Sequence, residues 1–201
     1  FDEAKKLGIG FYIGYAELDE EQGRIRRFNT AILVTPEGNI AGKYRKVHLP
    51  GHADHKPQAA FQHLEKKYFE VGNLGFRTFR FMDTIAGMLI CNDRRWPEAF
   101  RVLGLQGAEI VTRGFNTPTE NLHYPEPPAL RVHHDLIMAQ SMAFQNAIWL
   151  VETAKCGVED GFRMFGHSVI VAPTGEIAAK TVSEDDEVIV HDADLGLGDN
   201  L

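Results

Sequence analysis

Cysteine is scarce in this chain: Cys91 and Cys156 are its two thiols, too few for a disulfide framework, so both are expected free in a reducing compartment. Basic runs are missing as well. Lys and Arg total 21 against 28 Asp and Glu, a formal net charge of −7, which excludes the electrostatic footprint of a nucleic-acid or anionic-membrane binder and points to a small-molecule partner. No apolar stretch approaches the ~20 residues of a spanning helix, and no basic-then-apolar leader opens the chain. The expectation is a soluble, cytoplasmic protein. With 201 residues, 44% of them hydrophobic, the chain can bury one substantial core, and a single domain over residues 1–201 is expected.

Gly8 to Ala16 reads as a strand. Phe28 to Thr35 and Asn39 to Tyr44 are β-type runs around Pro36-Glu37-Gly38, a turn in which proline presets φ and glycine relieves the end. The same pattern returns far along the chain: Ala31 to Lys43 and Ser168 to Lys180 match in apolar positions, turn proline, glycine, isoleucine and final lysine. Two equivalent hairpins imply a pseudo-symmetric sandwich in which each of two sheets carries one. Between them the chain alternates. Thr84 to Cys91 is a strand, Pro97 to Leu105 a helix with proline and Glu98 in its first turn, Gly107 to Phe115 a strand, Arg131 to Asn146 a helix and Ala147 to Thr153 a strand. That succession predicts an α/β fold with a parallel segment of sheet. Asn116 to Pro128 is a proline-rich loop at a strand end, where loops shape sites. Leu195 to Leu201, rich in glycine and aspartate, is expected to fray.

Cys91 ends the apolar run Gly87-Met88-Leu89-Ile90 and is followed by Asn92-Asp93-Arg94-Arg95-Trp96-Pro97-Glu98. A thiol there sits at the carboxyl rim of the sheet, where α/β proteins bind ligands. Sulfur is nucleophilic as thiolate, and neighbouring cations favour that form; Arg94 and Arg95 supply two. Lys46, taken alone, reads as a solvated lysine after a strand, and Glu65 as a surface carboxylate on a short helix from Phe61 to Phe69. Brought beside Cys91, however, an ammonium would stabilise the thiolate and meet the oxyanion formed when sulfur attacks a carbonyl, and Glu65 would orient it. His48, His52, His55 and His63 with Asp54 suggest a zinc set, but the spacing lacks the helical His-Glu-x-x-His arrangement, so no metal is expected. His133-His134 has no evident ligand set, and Cys156 reads as a bystander.

Lys46 in YRKVHLPG, Glu65 in EKKYFEVG and Cys91 in CNDRRWPE, in that order, resemble the lysine, second glutamate and nucleophilic cysteine of the carbon–nitrogen hydrolase (nitrilase) superfamily, and the resemblance covers nearly the whole chain. More narrowly, GHADHKP, FQHLEKKYFE, ICNDRRWPE, Asn116-Thr117-Pro118, KCGVEDG and IVAPTGEIAA resemble the N-carbamoyl-D-amino acid amidohydrolases. The resemblance implies a four-layer α-β-β-α sandwich assembled into homodimers or homotetramers, and catalysis without metal or organic cofactor. It implies that Cys91 attacks the carbon of a small ureido acid while Lys46 stabilises the oxyanion. Arg94 and Arg95 would take the substrate carboxylate, since a guanidinium fork matches two oxygens. Asn92, Asn116 and Thr117 would give polar contacts, and His48, His63 and His134 match histidines that support the site.

One part of the pattern is absent. The superfamily's general-base glutamate lies on an early strand-loop that would precede Phe1, and Glu17 is not its counterpart, so the chain is expected to be a fragment truncated at its amino end. Three alternatives stay open: a superfamily neighbour acting on β-ureido acids, amides or nitriles; a zinc hydrolase using the His48 to His63 cluster; and a non-catalytic subunit.

Overall fold

The structure, a computed structural model, describes residues 1–59, 62–120 and 126–200. Phe61 of the expected short helix, residues 121–125 of the expected loop and Leu201 lie outside the described residues. A helix α1 (Asp2–Leu7) precedes the strands β1 (Phe11–Glu21), β2 (Arg24–Val34) and β3 (Ile40–Arg45), which form an antiparallel three-stranded sheet in that order. After α2 (Glu65–Tyr68) come β4 (Thr78–Phe81), β5 (Thr84–Ile90), a 3₁₀ helix (Cys91–Arg95), α3 (Pro97–Leu105), β6 (Ile110–Phe115), α4 (Pro128–Asn146) and β7 (Trp149–Ala154). The short pair β8 (Val158–Glu159) and β9 (Phe162–Arg163) leads to β10 (Val169–Val171) and β11 (Ile177–Lys180). The larger sheet has the order β11-β10-β7-β6-β5-β4, with β5, β6 and β7 parallel as expected.

The two hairpins are the same object built twice. Val34 pairs with Ile40 and Leu33 with Gly42, across a bulge between Leu33 and Val34; Val171 pairs with Ile177 and Ile170 with Ala179, across a bulge between Ile170 and Val171. Gly38 and Gly175 close the turns at φ 77° and 82°, a left-handed conformation that costs a residue with a Cβ roughly 1–2 kcal/mol. One hairpin lies in each sheet.

The sheets face each other through Ala31, Leu33 and Tyr44 on one side and Ala86, Met88 and Ile90 on the other. On the far side of the larger sheet, α3 and α4 bury Ala99, Phe100, Leu103, Ala139 and Ala143, the largest of which each contribute roughly 1.5–3 kcal/mol of transfer free energy. Among the described residues α3 and α4 are the helices long enough to form a layer, so three of the four expected layers are seen. None of these helices is long and apolar enough to cross a membrane.

Several elements differ from the sequence reading: β4, β8, β9 and the 3₁₀ helix at Cys91 are absent from it, and the short helix expected from Phe61 to Phe69 is Glu65–Tyr68. The first strand starts at Phe11, preceded by α1, whose Asp2 and Glu3 open it, whose Lys5 and Lys6 close it and whose C-cap Gly8 is left-handed at φ 65°; these are dipole and capping signals. The strand also runs on to Glu21, because Glu17 and Glu21 meet Arg45 across the sheet. Over the described residues of the tail, Leu195–Asn200 is a 3₁₀ helix, and the Trp149 indole donates to the Asp194 carbonyl at 2.8 Å.

Candidate active site

Ile90 ends β5, and Cys91 turns the chain at φ 44° into the 3₁₀ helix. A left-handed non-glycine residue is strained and persists where its surroundings over-determine it. Asp93, fully buried, does much of this: its carboxylate accepts from Ile90 N at 3.0 Å, Tyr44 OH at 2.8 Å, His48 N at 3.1 Å and His48 Nδ1 at 2.9 Å. Burial and the Asp93 charge hold the Tyr44 phenol well above its ordinary value, so it remains a donor. The His48 ring lies flat on Trp96, centroids 4.3 Å apart, and its carbonyl accepts from Asn92 Nδ2 at 3.0 Å. Both residues therefore brace the cysteine turn rather than face the cleft.

Cys91 opens onto a cleft of about 290 Å³ lined also by Tyr12, Asn29, Glu65, Gly114 and Asn116. Lys46 is bound to its wall. The Lys46 side chain has no solvent exposure, and its Nζ lies 2.9 and 2.8 Å from the two oxygens of Glu65. Asn29 donates to the same carboxylate at 3.3 Å and accepts from the Lys46 backbone at 2.8 Å. Thr117 Oγ1 lies 3.7 Å from Cys91 Sγ. That threonine is held because Phe165 N donates to its carbonyl and Arg131 of α4 donates to the carbonyls of Pro118 and Thr119. Asn116 donates to Glu159 at 3.3 Å. Tyr12 spans the sheets, donating to Leu89 O at 3.0 Å and accepting from Gly114 N at 3.1 Å; burial pushes its phenol up to about 12. A Cβ at Gly114 would stand 3.0 Å from the Tyr12 ring, so glycine permits this approach.

Beneath the turn lies a buried charge cluster. Arg113 of β6 donates from Nη1 to the Cys91 carbonyl at 3.2 Å, from Nε to Glu152 at 2.8 Å and from Nη2 to Asp135 at 3.0 Å. Burial would lower the Arg113 pKa, but the charges of Glu152 and Asp135 outweigh it and hold it above its ordinary value; burial likewise pushes Glu152 up, against the pull of Arg113.

Arg94 requires a correction. It was expected to meet a substrate carboxylate, yet its guanidinium is buried and already ion-paired with Asp135. With Arg95 and His134 it lines a second cleft of about 470 Å³ that shares no lining residue with the first. Arg95 is exposed there, and His134 Nδ1 lies 2.9 Å from Glu126. His63 is placed through its backbone, whose carbonyl accepts from His52 N at 3.0 Å. Among the described residues no group of three or more His, Cys, Asp or Glu side chains could hold a metal ion. Glu17 lies on the face of the smaller sheet opposite to Asn29, bonded to Arg45, Lys43 and Thr30.

Tyr12, Asn29, Asp93 and Arg113 were not singled out from sequence. Asp93 carried a signal, an acidic residue three positions after a strand end with its backbone donors to cap. Arg113 carried one too, a lone cation inside an apolar strand.

The molecule is thus an α/β sandwich with a strained strand-end thiol at the rim of parallel strands, opposite a carboxylate that holds a buried lysine. The carbon-nitrogen hydrolase family model matches residues 1–200, and the chain belongs to that family. It is 32% identical over 197 residues to a protein described as a nitrilase from Pyrococcus abyssi, covering 98% of this chain and 63% of the relative. It is 30% identical over 202 residues to an N-carbamoylputrescine amidase from Solanum lycopersicum, covering 96% and 62%. Among solved structures, a carbon-nitrogen hydrolase from Helicobacter pylori G27 superposes with a TM-score of 0.83 at 28% identity, covering 98% of this chain and 66% of that one. The chain therefore spans somewhat less than two thirds of the length of these curated relatives.

Proposed function

We propose that this protein is a thiol amidohydrolase that splits the carbamoyl carbon–nitrogen bond of N-carbamoyl-D-amino acids. The observation that carries the reading is one cleft shared by Cys91 and Glu65, with Lys46 Nζ held at 2.8–2.9 Å by that glutamate. Cys91 Sγ attacks the ureido carbon. The carbonyl oxygen becomes an oxyanion, which the Lys46 N–H not engaged by Glu65 stabilises. The carbon–nitrogen bond then breaks, the thiol's proton ends on the leaving nitrogen, and the D-amino acid departs from a carbamoyl thioester. Water cleaves the thioester: its proton returns to sulfur, and the carbamic acid released falls apart to carbon dioxide and ammonia. Thr117 and Asn116 give polar contacts beside the sulfur, while His48 and Asn92 keep the turn in place. Arg95 takes the substrate carboxylate; it is the exposed arginine of the 3₁₀ helix, roughly 8 Å along the axis from Cys91 at ~2 Å per residue.

Identity to a relative described as an N-carbamoylputrescine amidase supports a second reading within the same chemistry, a ureido substrate ending in an amine. The exposed guanidinium of Arg95 in the second cleft, where Arg94 and His134 are already paired with Asp135 and Glu126, favours the acid. Exposed Leu105, Ile137 and Phe144 on the helix layer fit a homo-oligomer joined through α3 and α4. Ammonia release by protein expressed from its full coding sequence tests the reading. Turnover is expected to be faster with N-carbamoyl-D-amino acids than with N-carbamoylputrescine, β-ureido acids, simple amides or nitriles; equal or slower turnover contradicts it.

A further inference from the structure

We propose that Arg113 is a positioning residue for the nucleophile, its guanidinium holding the Cys91 main chain in the left-handed turn that aims the thiol into the cleft, with Asp135 and Glu152 holding the guanidinium in turn. The inference rests on Cys91 being the nucleophile.

Arg113 sits in the middle of the parallel sheet, directly opposite Glu152 in the β6–β7 ladder, with neither side chain more than 2% exposed. Apolar residues of similar volume in place of a buried ion pair are often neutral or stabilising, so stability does not by itself account for one at this point. The direction of the donors does. Nε and Nη2 are taken by Glu152 and Asp135, the Phe115 ring covers one face 4.4 Å from the guanidinium carbon, and Nη1 is left pointing at the Cys91 carbonyl, 3.2 Å away. The orientation of that carbonyl fixes ψ of Cys91, the residue whose φ is 44°. Asp93 secures the turn from the side of the smaller sheet; Arg113 secures it from the helix side. Asp135 Oδ1 also receives Arg94, so α4, β6 and the 3₁₀ helix meet on one carboxylate, and β7 joins through Glu152 on Arg113. Its Oδ2 has no hydrogen-bond partner among the described residues, so the carboxylate's bonding is concentrated on the two arginines. A planar fork can serve two carboxylates and a carbonyl together, whereas a lysine ammonium is a point charge.

The test is the iodoacetamide alkylation rate of Cys91, with Cys156 as internal reference, in the parent protein and in Arg113→Met/Glu152→Leu, which removes both charges together and leaves neither unpaired. Thermal unfolding confirms that the variant folds, and kcat and KM are measured on the substrate that the parent turns over. The expected result is Cys91 alkylation slowed about tenfold or more with Cys156 unchanged, and kcat reduced about 10- to 100-fold at nearly constant KM, the pattern of a misaimed nucleophile. Alkylation and kcat within about twofold of the parent in the folded variant would overturn the inference. If the double variant does not fold, Arg113→Lys decides: slow Cys91 alkylation supports positioning, and a parent-like rate overturns it. Equal sluggishness of the two thiols in the parent overturns the reading of Cys91 as nucleophile, and this inference with it. Failure to hydrolyse N-carbamoyl-D-amino acids overturns only the substrate assignment, because alkylation needs no substrate.

Discussion

Lys46 and Glu65 form a closed pair, with both carboxylate oxygens on one ammonium at 2.8 and 2.9 Å and the lysine side chain wholly out of water. An unpaired ammonium at that depth would cost several kcal/mol. The glutamate, which lines the cysteine cleft, is thus what holds the lysine ammonium directly behind its wall.

Lys46→Met should leave a folded protein with kcat lowered about 10²- to 10³-fold, the usual loss for one oxyanion donor. Glu65→Gln keeps the shape but not the charge, and should show a smaller loss in kcat together with a lower melting temperature. Steady-state kinetics with thermal unfolding on each variant checks both; wild-type kcat in Lys46→Met would remove the lysine from the chemistry.

Asp93→Ala should be severely destabilising. It strips the acceptor from Tyr44 OH and Ile90 N inside the core and from both His48 donors, and unpaired buried donors cost about 1–3 kcal/mol each. A total loss of at least about 3 kcal/mol in denaturant unfolding is expected. Tyr44→Phe, which removes one donor to Asp93 and the acceptor of Val47 N, should cost less, about 1–2 kcal/mol.

Acid stability should depend on the outer face of the smaller sheet. Burial would raise Glu17, but hydrogen bonds from Arg45, Lys43 and Thr30 outweigh it and hold the carboxyl at about 2, down from an ordinary 4.5. A depressed folded-state pKa stabilises the protein above the unfolded value and is lost as pH falls through the folded value, so this contribution is full above about pH 5 and fades toward pH 2. Screening through the partly exposed Lys43 reduces it to about 1–2 kcal/mol. Glu17→Gln should lower the unfolding free energy at pH 7 and flatten its decline between pH 5 and pH 2; an acid limb as steep as the parent's would contradict the assignment.

The paired hairpins allow a matched comparison. Gly38→Ala and Gly175→Ala both force a Cβ into a left-handed turn, costing about 1–2 kcal/mol. At Gly38 the new carbon meets the flexible end of Lys5 at 3.2 Å, whereas at Gly175 it meets Phe144 Cβ at 3.3 Å and the Gln140 carbonyl at 3.4 Å on α4. Gly175→Ala should therefore unfold at the lower temperature.

Local signals carried most of the fold. Pro97 at the first position of α3 and Pro-x-Gly in both turns announced their elements because each imposes a backbone angle where it stands. What sequence could not show were relations across distance. Glu17, Asp19 and Glu21 look like a solvated charge run until Arg45, 24 residues beyond the last of them, lies alongside. Arg94 looks free until Asp135, 41 residues away, meets it. In the same way Cys91, Glu65 and Lys46 were recognisable as residue types, but Tyr12, Asn29 and Arg113 entered the site only when two sheets and a helix packed against one turn.

The most direct test of the central claim is to quench the full-length protein with acid during turnover of an N-carbamoyl-D-amino acid and to analyse its peptides by mass. The account predicts one carbamoyl group on the peptide carrying Cys91, absent from the peptide carrying Cys156 and absent altogether in Cys91→Ala. Undiminished turnover by Cys91→Ala, or a carbamoyl group carried by any other residue, would contradict it.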